Sequence, residues 1–235
     1  MLKLVLLPGM DGTGTLFQPF VDALAGEFEI QIVRYPTHKA FGYEELEAFV
    51  RAALPTDSPF ILLGESFSGP IAVSIAASKP AALVGLVLCC TFVRNPRPAT
   101  AFFRSLVGFL PITLAPVPML AHFLLGRHST AELKAVFAES LAQVSTPAMR
   151  ARILAVLSVD VTAKLHAISV PSLYMRATKD RVVPAAASRY ISANLPSLKI
   201  VSIEAPHFLL QIATQQAAIA VKNFASALHE SRDTE

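Results

Sequence analysis

The stretch at residues 61–72 constrains the fold more than any other part of the chain. Its apolar half, which suits a buried strand, ends at Gly64, and a helical pattern begins after Ser66. A strand that turns directly into a helix strains the backbone of the corner residue and exposes its side chain. Small residues must flank such a corner, and Gly64 and Ser68 stand two positions either side of Ser66. The stretch therefore predicts a nucleophile elbow with Ser66 at its tip. An ordinary turn rich in glycine and serine is the alternative.

Apolar runs that suit buried strands alternate with helical patterns before and after this stretch. The predicted strands are 2–7, 28–35, 60–63, 83–90, 172–177 and 198–203, and the predicted helices are 16–25, 43–54, 67–78, 184–195 and 211–228. Because the strands are apolar almost throughout, they suit a parallel sheet that is covered by helices on both faces. The prediction is an α/β protein with a mostly parallel sheet of about six strands, whose core comprises residues 1–92 and 161–235.

The alternation is interrupted between residues 93 and 160, where the sequence contains no convincing strand. The helical pieces in this segment are 101–110, 119–125, 130–144 and 147–159. We expect an inserted helical lid over the carboxyl edge of the sheet. Residues 105–125 contain no Lys, Arg, Asp or Glu, which could suggest a membrane span, but three prolines argue against a continuous helix. We therefore expect no stable span.

Composition excludes several classes of function. The formal charge of +3 is mild, and the basic residues are scattered, so no nucleic-acid track is indicated. Cys89 and Cys90 are adjacent, which disfavours an ordinary bridge and indicates buried thiols in a reducing compartment. The apolar start of the chain stops at Pro8 and is too short for a signal peptide, so a cytoplasmic location is expected.

Cofactor and metal sites are not expected either. The glycines at positions 9, 12 and 14 do not fit the dinucleotide-binding motif, and no phosphate-binding lysine motif is present. No group of His, Cys and carboxylate residues has the spacing of metal ligands. The chemistry must therefore be carried by side chains of the chain itself.

Three residues suited to nucleophilic catalysis each follow a predicted strand. Ser66 follows the third strand, Asp180 the strand after the lid, and His207 the last strand. The carboxyl ends of parallel strands meet at one edge of the sheet, so these residues are expected to lie close together. A serine hydroxyl needs an imidazole to accept its proton, and the imidazole needs a carboxylate to orient it. The sequence predicts a Ser-His-Asp triad, and Asp160 is the alternative acid.

A triad of this kind also needs donors for the oxyanion that forms during acyl transfer. The backbone N–H of Phe67, at the start of the elbow helix, supplies one donor. The glycine-rich loop after the first strand supplies a second, most simply the backbone N–H of Met10.

With these residues in place, the chain resembles the α/β-hydrolase superfamily over nearly its whole length except the lid. The resemblance implies a serine hydrolase in which Ser66 is the nucleophile, Asp180 the acid and His207 the base. The segments at 159–165, 170–171 and 180–184 are similar to bacterial carboxylesterases and to the esterase that cleaves the methyl ester of pimeloyl-carrier protein. The chain departs from the family pattern at Ser68 in place of glycine, at Pro8 in place of histidine, at Pro206 in place of glycine, at Arg34–Thr37, and in lacking the early hairpin.

Ester hydrolysis through an acyl-enzyme is therefore the predicted function, with a small-molecule ester as substrate. The expected acyl pocket is lined by apolar lid residues: Phe102, Phe103, Phe109, Phe123 and Leu124. Six arginines give the lid a basic surface that suits an acidic acyl carrier protein, with a solvated surface as the alternative: Arg94, Arg97, Arg104, Arg127, Arg150 and Arg152. A carrier-protein methyl ester esterase, a thioesterase, an acyltransferase and a non-catalytic ligand-binding protein remain as alternatives.

Overall fold

In the computed structural model, which describes residues 1–105, 107 and 117–232, six strands form one parallel sheet. The strands are β1 (Lys3–Leu7), β2 (Glu29–Ile32), β3 (Phe60–Glu65), β4 (Leu83–Cys89), β5 (Ser172–Ala177) and β6 (Leu198–Ile203). Their order across the sheet is β2-β1-β3-β4-β5-β6, and every neighbouring pair is parallel. The order of connection reverses between β1 and β3. Sheets of this kind form their sites in the crevice beyond such a point.

Helices flank the sheet and also form the segment between β4 and β5. Within the described residues they are α1 (Gln18–Ala23), α2 (Tyr43–Ala53), α3 (Gly69–Ala77), α4 (Val117–Leu125), α5 (Ala131–Ala142), α6 (Thr146–Ser158), α7 (Ala185–Asn194), α8 (Leu209–Ile212) and α9 (Thr214–Arg232). Short 3-10 turns occupy 15–17, 66–68, 98–105, 126–128 and 162–167. The side chains of Thr130 and Ser145 accept hydrogen bonds from the backbone at the starts of α5 and α6, which satisfies otherwise unpaired N–H groups.

The central strands are buried on both faces because two hydrophobic clusters sandwich the sheet. In β1, Leu4 and Leu6 join the cluster that includes residues of α1 and α9. Val5 and Leu7, which alternate with them, join the cluster that includes residues of α2, α3 and α7. This two-sided burial explains the continuous apolar runs and confirms the predicted α/β fold.

Some element bounds differ from the sequence prediction. Strand β2 ends at Ile32, short of the predicted residue 35, because the backbone N–H of Tyr35 donates to the carbonyl of Gly12 and leaves the ladder. The closing helix, predicted at 211–228, is divided at Ala213 into α8 and α9 and extends to Arg232. The early end of β2 thus depends on a tertiary contact that a local pattern does not contain.

The segment between β4 and β5 begins and ends side by side. Arg94 and Asp160 form an isolated antiparallel bridge, and the backbone N–H of Val161 donates to the carbonyl of Val93 over 2.8 Å. The predicted helix at 101–110 falls partly outside the described residues, and its described part is a 3-10 turn at 98–105. A third cluster packs α4 and α5 on the body through residues such as Leu125, Phe137 and Phe208.

The described residues contain no helix that is both long and apolar enough to cross a membrane.

Candidate active site

The chain turns from β3 into α3 at Ser66, whose backbone lies in the left-handed region with φ of 49°. A side chain at Gly64 would not fit this turn, since its Cβ would lie 2.8 Å from Ala72 Cβ and 2.9 Å from the carbonyl oxygen of Ser68. Positive φ is rare for residues other than glycine and stores strain that the surrounding structure must hold. The geometry is that of a nucleophile elbow, with Ser66 half-buried at its tip.

Ser68 occupies the position where the common motif has glycine, and its side chain has a partner on each side. Its hydroxyl is fully buried and donates to the carbonyl oxygen of Pro8, in the loop after β1. Since that bond uses the only hydroxyl proton of Ser68, the hydroxyl of Tyr35 is the donor in the 2.5 Å contact between the two side chains. Two departures from the family pattern, Ser68 and Pro8, thus form one contact between the elbow and the neighbouring loop.

The glycine of the motif is displaced by one residue to Gly69, and Thr91 accounts for its presence. A Cβ at Gly69 would lie only 2.7 Å from Thr91 Cβ and would overlap the threonine hydroxyl. That hydroxyl donates to the carbonyl oxygen of Ser66. The backbone of Thr91 is in turn fixed by Tyr174, whose hydroxyl accepts from the threonine N–H over 3.0 Å and donates to its carbonyl over 2.7 Å. The strained elbow is therefore held from the end of β4.

Ser66, His207 and Asp180, which the sequence places at three strand ends, lie in one hydrogen-bonded row. Ser66 Oγ is 2.8 Å from His207 Nε2, and His207 Nδ1 is 2.7 Å from Asp180 Oδ2. The side chains of His207 and Asp180 are almost completely buried, with 4% and 5% exposed. In this arrangement Nδ1–H donates to the carboxylate, which leaves Nε2 free to accept the serine proton.

Backbone contacts fix both partners of the serine. Asp180 Oδ1 accepts hydrogen bonds from the N–H groups of Val182 and Val183, at 2.7 and 2.9 Å. After His207, the backbone N–H of Phe208 donates to the carbonyl of Leu124 in α4 over 3.1 Å. The residue after the base is thus bound to the segment between β4 and β5. Asp160, the alternative acid, instead accepts a hydrogen bond from the N–H of Thr162.

The two backbone groups predicted as oxyanion donors lie at the same edge of the sheet as Ser66. Met10 is in the loop that follows β1, and Phe67 is the residue after Ser66. The ring of Phe67 stacks on Tyr43 at 4.7 Å between centroids, and the Tyr43 hydroxyl donates to the Phe67 carbonyl over 3.0 Å. These contacts hold the first turn after the elbow in one orientation.

Glu65, directly before the elbow serine, is a buried acid that sequence reasoning missed. Its carboxylate accepts a hydrogen bond from Gln211 Nε2 over 3.0 Å. Burial raises the pKa of Glu65 to about 7, although hydrogen bonds from Gln211 and from the backbone of Gly9 and the neighbouring His207 oppose this rise. An acid in an otherwise apolar strand was the signal in the sequence that would have identified it.

The residues expected to line an acyl pocket occupy different environments. Phe102 and Phe123 are exposed at 82% and 46%, and Leu124 packs against the third cluster. The side chain of Phe103 and the whole of Phe109 lie outside the described residues. Their role in binding substrate stays a prediction.

A separate cleft of about 710 Å³ lies between the start of α1 and helices α5 and α8. Its walls include Leu16, Leu133 and Val136, together with Gln211, the partner of Glu65.

One arginine of the predicted basic surface is not on the surface. Arg152 is completely buried, and its guanidinium donates hydrogen bonds to backbone carbonyl groups in the loop after β1. Arg94, Arg97, Arg104 and Arg127 are exposed, as the prediction requires. The basic surface is therefore smaller than the sequence suggested.

The chain is similar to known proteins in both sequence and structure. The model of the family described as serine aminopeptidase, S33, matches residues 42–209. Pimeloyl-[acyl-carrier protein] methyl ester esterase of Xanthomonas campestris pv. campestris is 28% identical over 96% of this chain and 95% of its own. Phytyl ester synthase 1, chloroplastic, of Arabidopsis thaliana is 35% identical over 51% of this chain, which is only 17% of the synthase. The crystal structure of the enol-lactonase from Burkholderia xenovorans LB400 superposes with a TM-score of 0.85 at 17% identity, over 96% of this chain and 91% of that one.

Proposed function

The chain belongs to the serine aminopeptidase S33 family and is a serine hydrolase of α/β-hydrolase fold, and we propose that it cleaves carboxylic esters through a covalent acyl-enzyme. The observation that carries this proposal is the hydrogen-bonded row from Ser66 through His207 to Asp180, with the serine on a strained elbow. The strain presents the hydroxyl at the edge of the sheet, and the row supplies a base for its proton.

In the proposed reaction, Ser66 Oγ attacks the ester carbonyl while its proton moves to His207 Nε2. Asp180 stabilises the imidazolium that forms and holds the ring in the productive tautomer. The negative charge on the carbonyl oxygen is stabilised by the backbone N–H groups of Met10 and Phe67. His207 then protonates the leaving alcohol, and the acyl group remains on Ser66. A water molecule, deprotonated by His207, attacks the acyl-enzyme and releases the acid.

The substrate class is proposed from the segment between β4 and β5, residues 93–160, which acts as a lid in this scheme. The apolar residues that the sequence predicts for its pocket suit a medium-length acyl chain, and a small ester with such a chain is the proposed substrate. Of the predicted pocket residues, Leu124 lies in α4 and its carbonyl accepts the hydrogen bond from Phe208, the residue after His207.

A second candidate is hydrolysis of a methyl ester on a carrier-bound acyl chain. It is favoured by the resemblance, over almost the full length of both chains, to a relative named for that reaction. The exposed arginines at 94, 97, 104 and 127 suit the acidic surface of a carrier protein. The resemblance to a phytyl ester synthase makes acyl transfer to an alcohol a further outcome to test.

The proposal is tested with p-nitrophenyl esters of increasing acyl length. Ser66→Ala is expected to abolish turnover, and Asp180→Asn to lower kcat by about 10⁴-fold, because the wrong imidazole tautomer then faces the serine. Ser78→Ala is the matched control, since this serine lies at the far end of the elbow helix and bonds Arg51. Turnover by Ser66→Ala within tenfold of the wild type would refute the assigned nucleophile.

Product analysis separates the candidates. In the presence of a long-chain alcohol, a hydrolase releases free acid, whereas a transferase forms a new ester. Comparing a free methyl ester with the same ester on a carrier protein tests the second candidate. Faster cleavage of the carrier-bound ester, lost when the exposed arginines are replaced, would support it over the small-ester proposal.

A further inference from the structure

Arg152 reaches from helix α6 into the body of the protein and contacts the loop that carries Met10. Its Nη1 donates to the carbonyl oxygens of Met10 and Asp11, at 2.8 and 2.7 Å. Its Nη2 donates to the carbonyl oxygen of Pro36 over 3.1 Å. The side chain of Arg152 is completely buried, and its bond to Asp11 is the most buried of the three. One side chain from the segment at 93–160 therefore joins two loops of the body.

These contacts determine how the peptide groups of the loop point. In a trans peptide the N–H lies opposite to the carbonyl of the preceding residue. Fixing the Asp11 carbonyl therefore also fixes the N–H of Gly12, which donates to the carbonyl of Gly9 over 3.1 Å. The Gly9 carbonyl belongs to the same peptide group as the N–H of Met10. Arg152 is thus linked to the donor proposed for the oxyanion through two peptide groups, Asp11–Gly12 and Gly9–Met10, that are hydrogen-bonded to each other.

The loop has a glycine where the guanidinium needs space. A Cβ at Gly12 would lie 2.8 Å from Arg152 Nη1 and 2.9 Å from Tyr35 Cβ, and the residue has φ of 70°. The glycine-rich sequence of this loop, which does not fit a nucleotide-binding motif, therefore fits a loop built around an arginine.

Stability alone does not account for the arginine. Burying a guanidinium is costly, and its Nε has no hydrogen-bond partner within the described part of the chain. Burial of the guanidinium disfavours its charged form and lowers the pKa of Arg152, whereas the nearby carboxylate of Asp11 opposes this effect. An arginine that bears this cost and binds the loop of a proposed oxyanion donor is suited to a role in positioning that loop.

We propose that Arg152 is a positioning residue for the oxyanion site: by binding the Met10 and Asp11 carbonyls it holds the Met10 N–H toward the reacting carbonyl. The segment at 93–160 then contributes to catalysis as well as to substrate binding. This inference rests on the proposed acyl-transfer chemistry, since it assumes that an oxyanion forms beside Met10.

Three variants test it: Arg152→Met, which keeps the unbranched apolar stem but removes the guanidinium, Arg152→Lys, and the control Arg51→Met. Arg51 also binds a backbone carbonyl, that of Ser74, but on the outer side of α3. Arg152→Met is expected to lower kcat by about 10²-fold with KM within about threefold, as for loss or misplacement of one oxyanion donor. Arg152→Lys should fall between it and the wild type, because an ammonium cannot reproduce the planar fork. Arg51→Met should keep the wild-type kcat.

The labelling rate of Ser66 by a fluorophosphonate is measured on the same variants, because this reaction also develops charge on an oxygen at the site. It should follow the order wild type, Arg152→Lys, Arg152→Met. A folded Arg152→Met enzyme with kcat and labelling rate within threefold of the wild type would overturn the inference. If the wild type is labelled but hydrolyses no ester, the proposed function fails, while the labelling rates still test Arg152.

A measurement on the wild type decides the question if Arg152→Met does not fold. A trifluoromethyl ketone forms a tetrahedral adduct with the serine, and NMR of ¹⁵N-labelled protein reports the Met10 amide and the Arg152 guanidinium. Both resonances are expected to shift on adduct formation and not with the corresponding alcohol. A shift at Met10 without any change at Arg152 would overturn the inference.

Discussion

Replacing Glu65 with glutamine tests how strongly burial disfavours charge beside the elbow. Glutamine keeps the shape of the side chain and an oxygen that can accept the hydrogen bond from Gln211 Nε2. It removes the ionisation, which burial makes unfavourable in the folded state. The amide oxygen of Gln211 is also open to a new donor, since Oε1 is buried without a partner among the described residues.

The sign and size of the effect follow from the raised pKa. Between pH 4.5, its ordinary value, and about 7, the folded protein holds a proton on Glu65 that the unfolded chain releases. The free energy of unfolding of the wild type therefore falls as pH rises through this window, and the contribution of the neutral acid is complete only below pH 4.5. The total corresponds to about 3 kcal/mol, at roughly 1.4 kcal/mol for each pH unit.

Urea unfolding of both proteins between pH 4 and 8.5 measures this difference. The free energy of unfolding of Glu65→Gln, relative to the wild type, is expected to rise by about 3 kcal/mol from pH 4.5 to 7 and then level off. Glu132→Gln is the matched control, because the pKa of that exposed acid is lowered, by its own backbone N–H and by Thr130. The free energy of unfolding of Glu132→Gln, relative to the wild type, should stay constant above about pH 5. A constant difference for Glu65→Gln, or one that falls with pH, would show that burial does not hold this carboxyl neutral.

Two further predictions concern the packing of the elbow. Ser68→Ala should cost about 1–3 kcal/mol of stability, because it leaves a buried proline carbonyl and the Tyr35 hydroxyl without a partner. In urea titrations Tyr35→Phe should lower the free energy of unfolding less in the Ser68→Ala variant than in the wild type. Additive losses would show that the two hydroxyls do not act together. Gly69→Ala should lose about 3 kcal/mol, or roughly 10 °C in Tm, since its Cβ overlaps Thr91. Gly9→Ala, whose Cβ meets nothing nearer than 3.7 Å, is its control, and equal melting temperatures would refute the steric argument.

The succession of strands along the chain, and the positions of Ser66, Asp180 and His207 after three of them, could be predicted because each depends on a local signal. Apolar runs mark buried strands, and a parallel arrangement brings their carboxyl ends to one edge whatever the exact bounds. An error of two or three residues in a strand, as in β2, therefore did not move the candidate site. The joint placement at strand ends carried information that no one of the three residues held alone.

Contacts between distant segments were not accessible in the same way. Arg152 stands beside one other arginine, Arg150, on helix α6, and nothing near it in sequence indicates that two of its partners are carbonyls about 140 positions earlier. In the sequence Ser68 likewise appears only as a small residue in place of glycine, because its contacts with Pro8 and Tyr35 form only in the folded protein. Whether a polar side chain points to solvent or into a body of backbone groups is decided by the tertiary fold.

The hydrogen bond between the Phe208 N–H and the Leu124 carbonyl bears on how such a protein can be re-engineered. Segments between β4 and β5 are attractive units to exchange among relatives when a new substrate range is sought. In this chain the exchanged unit would carry away a backbone partner of the residue after His207, together with the arginine that binds the loop after β1. A chimera joined at the bridge between Arg94 and Asp160 would therefore lack two contacts that hold the loops of His207 and Met10 in this chain. Exchanging α4 and α6 together with the two loops that they contact would keep these hydrogen bonds and disturb the candidate site less.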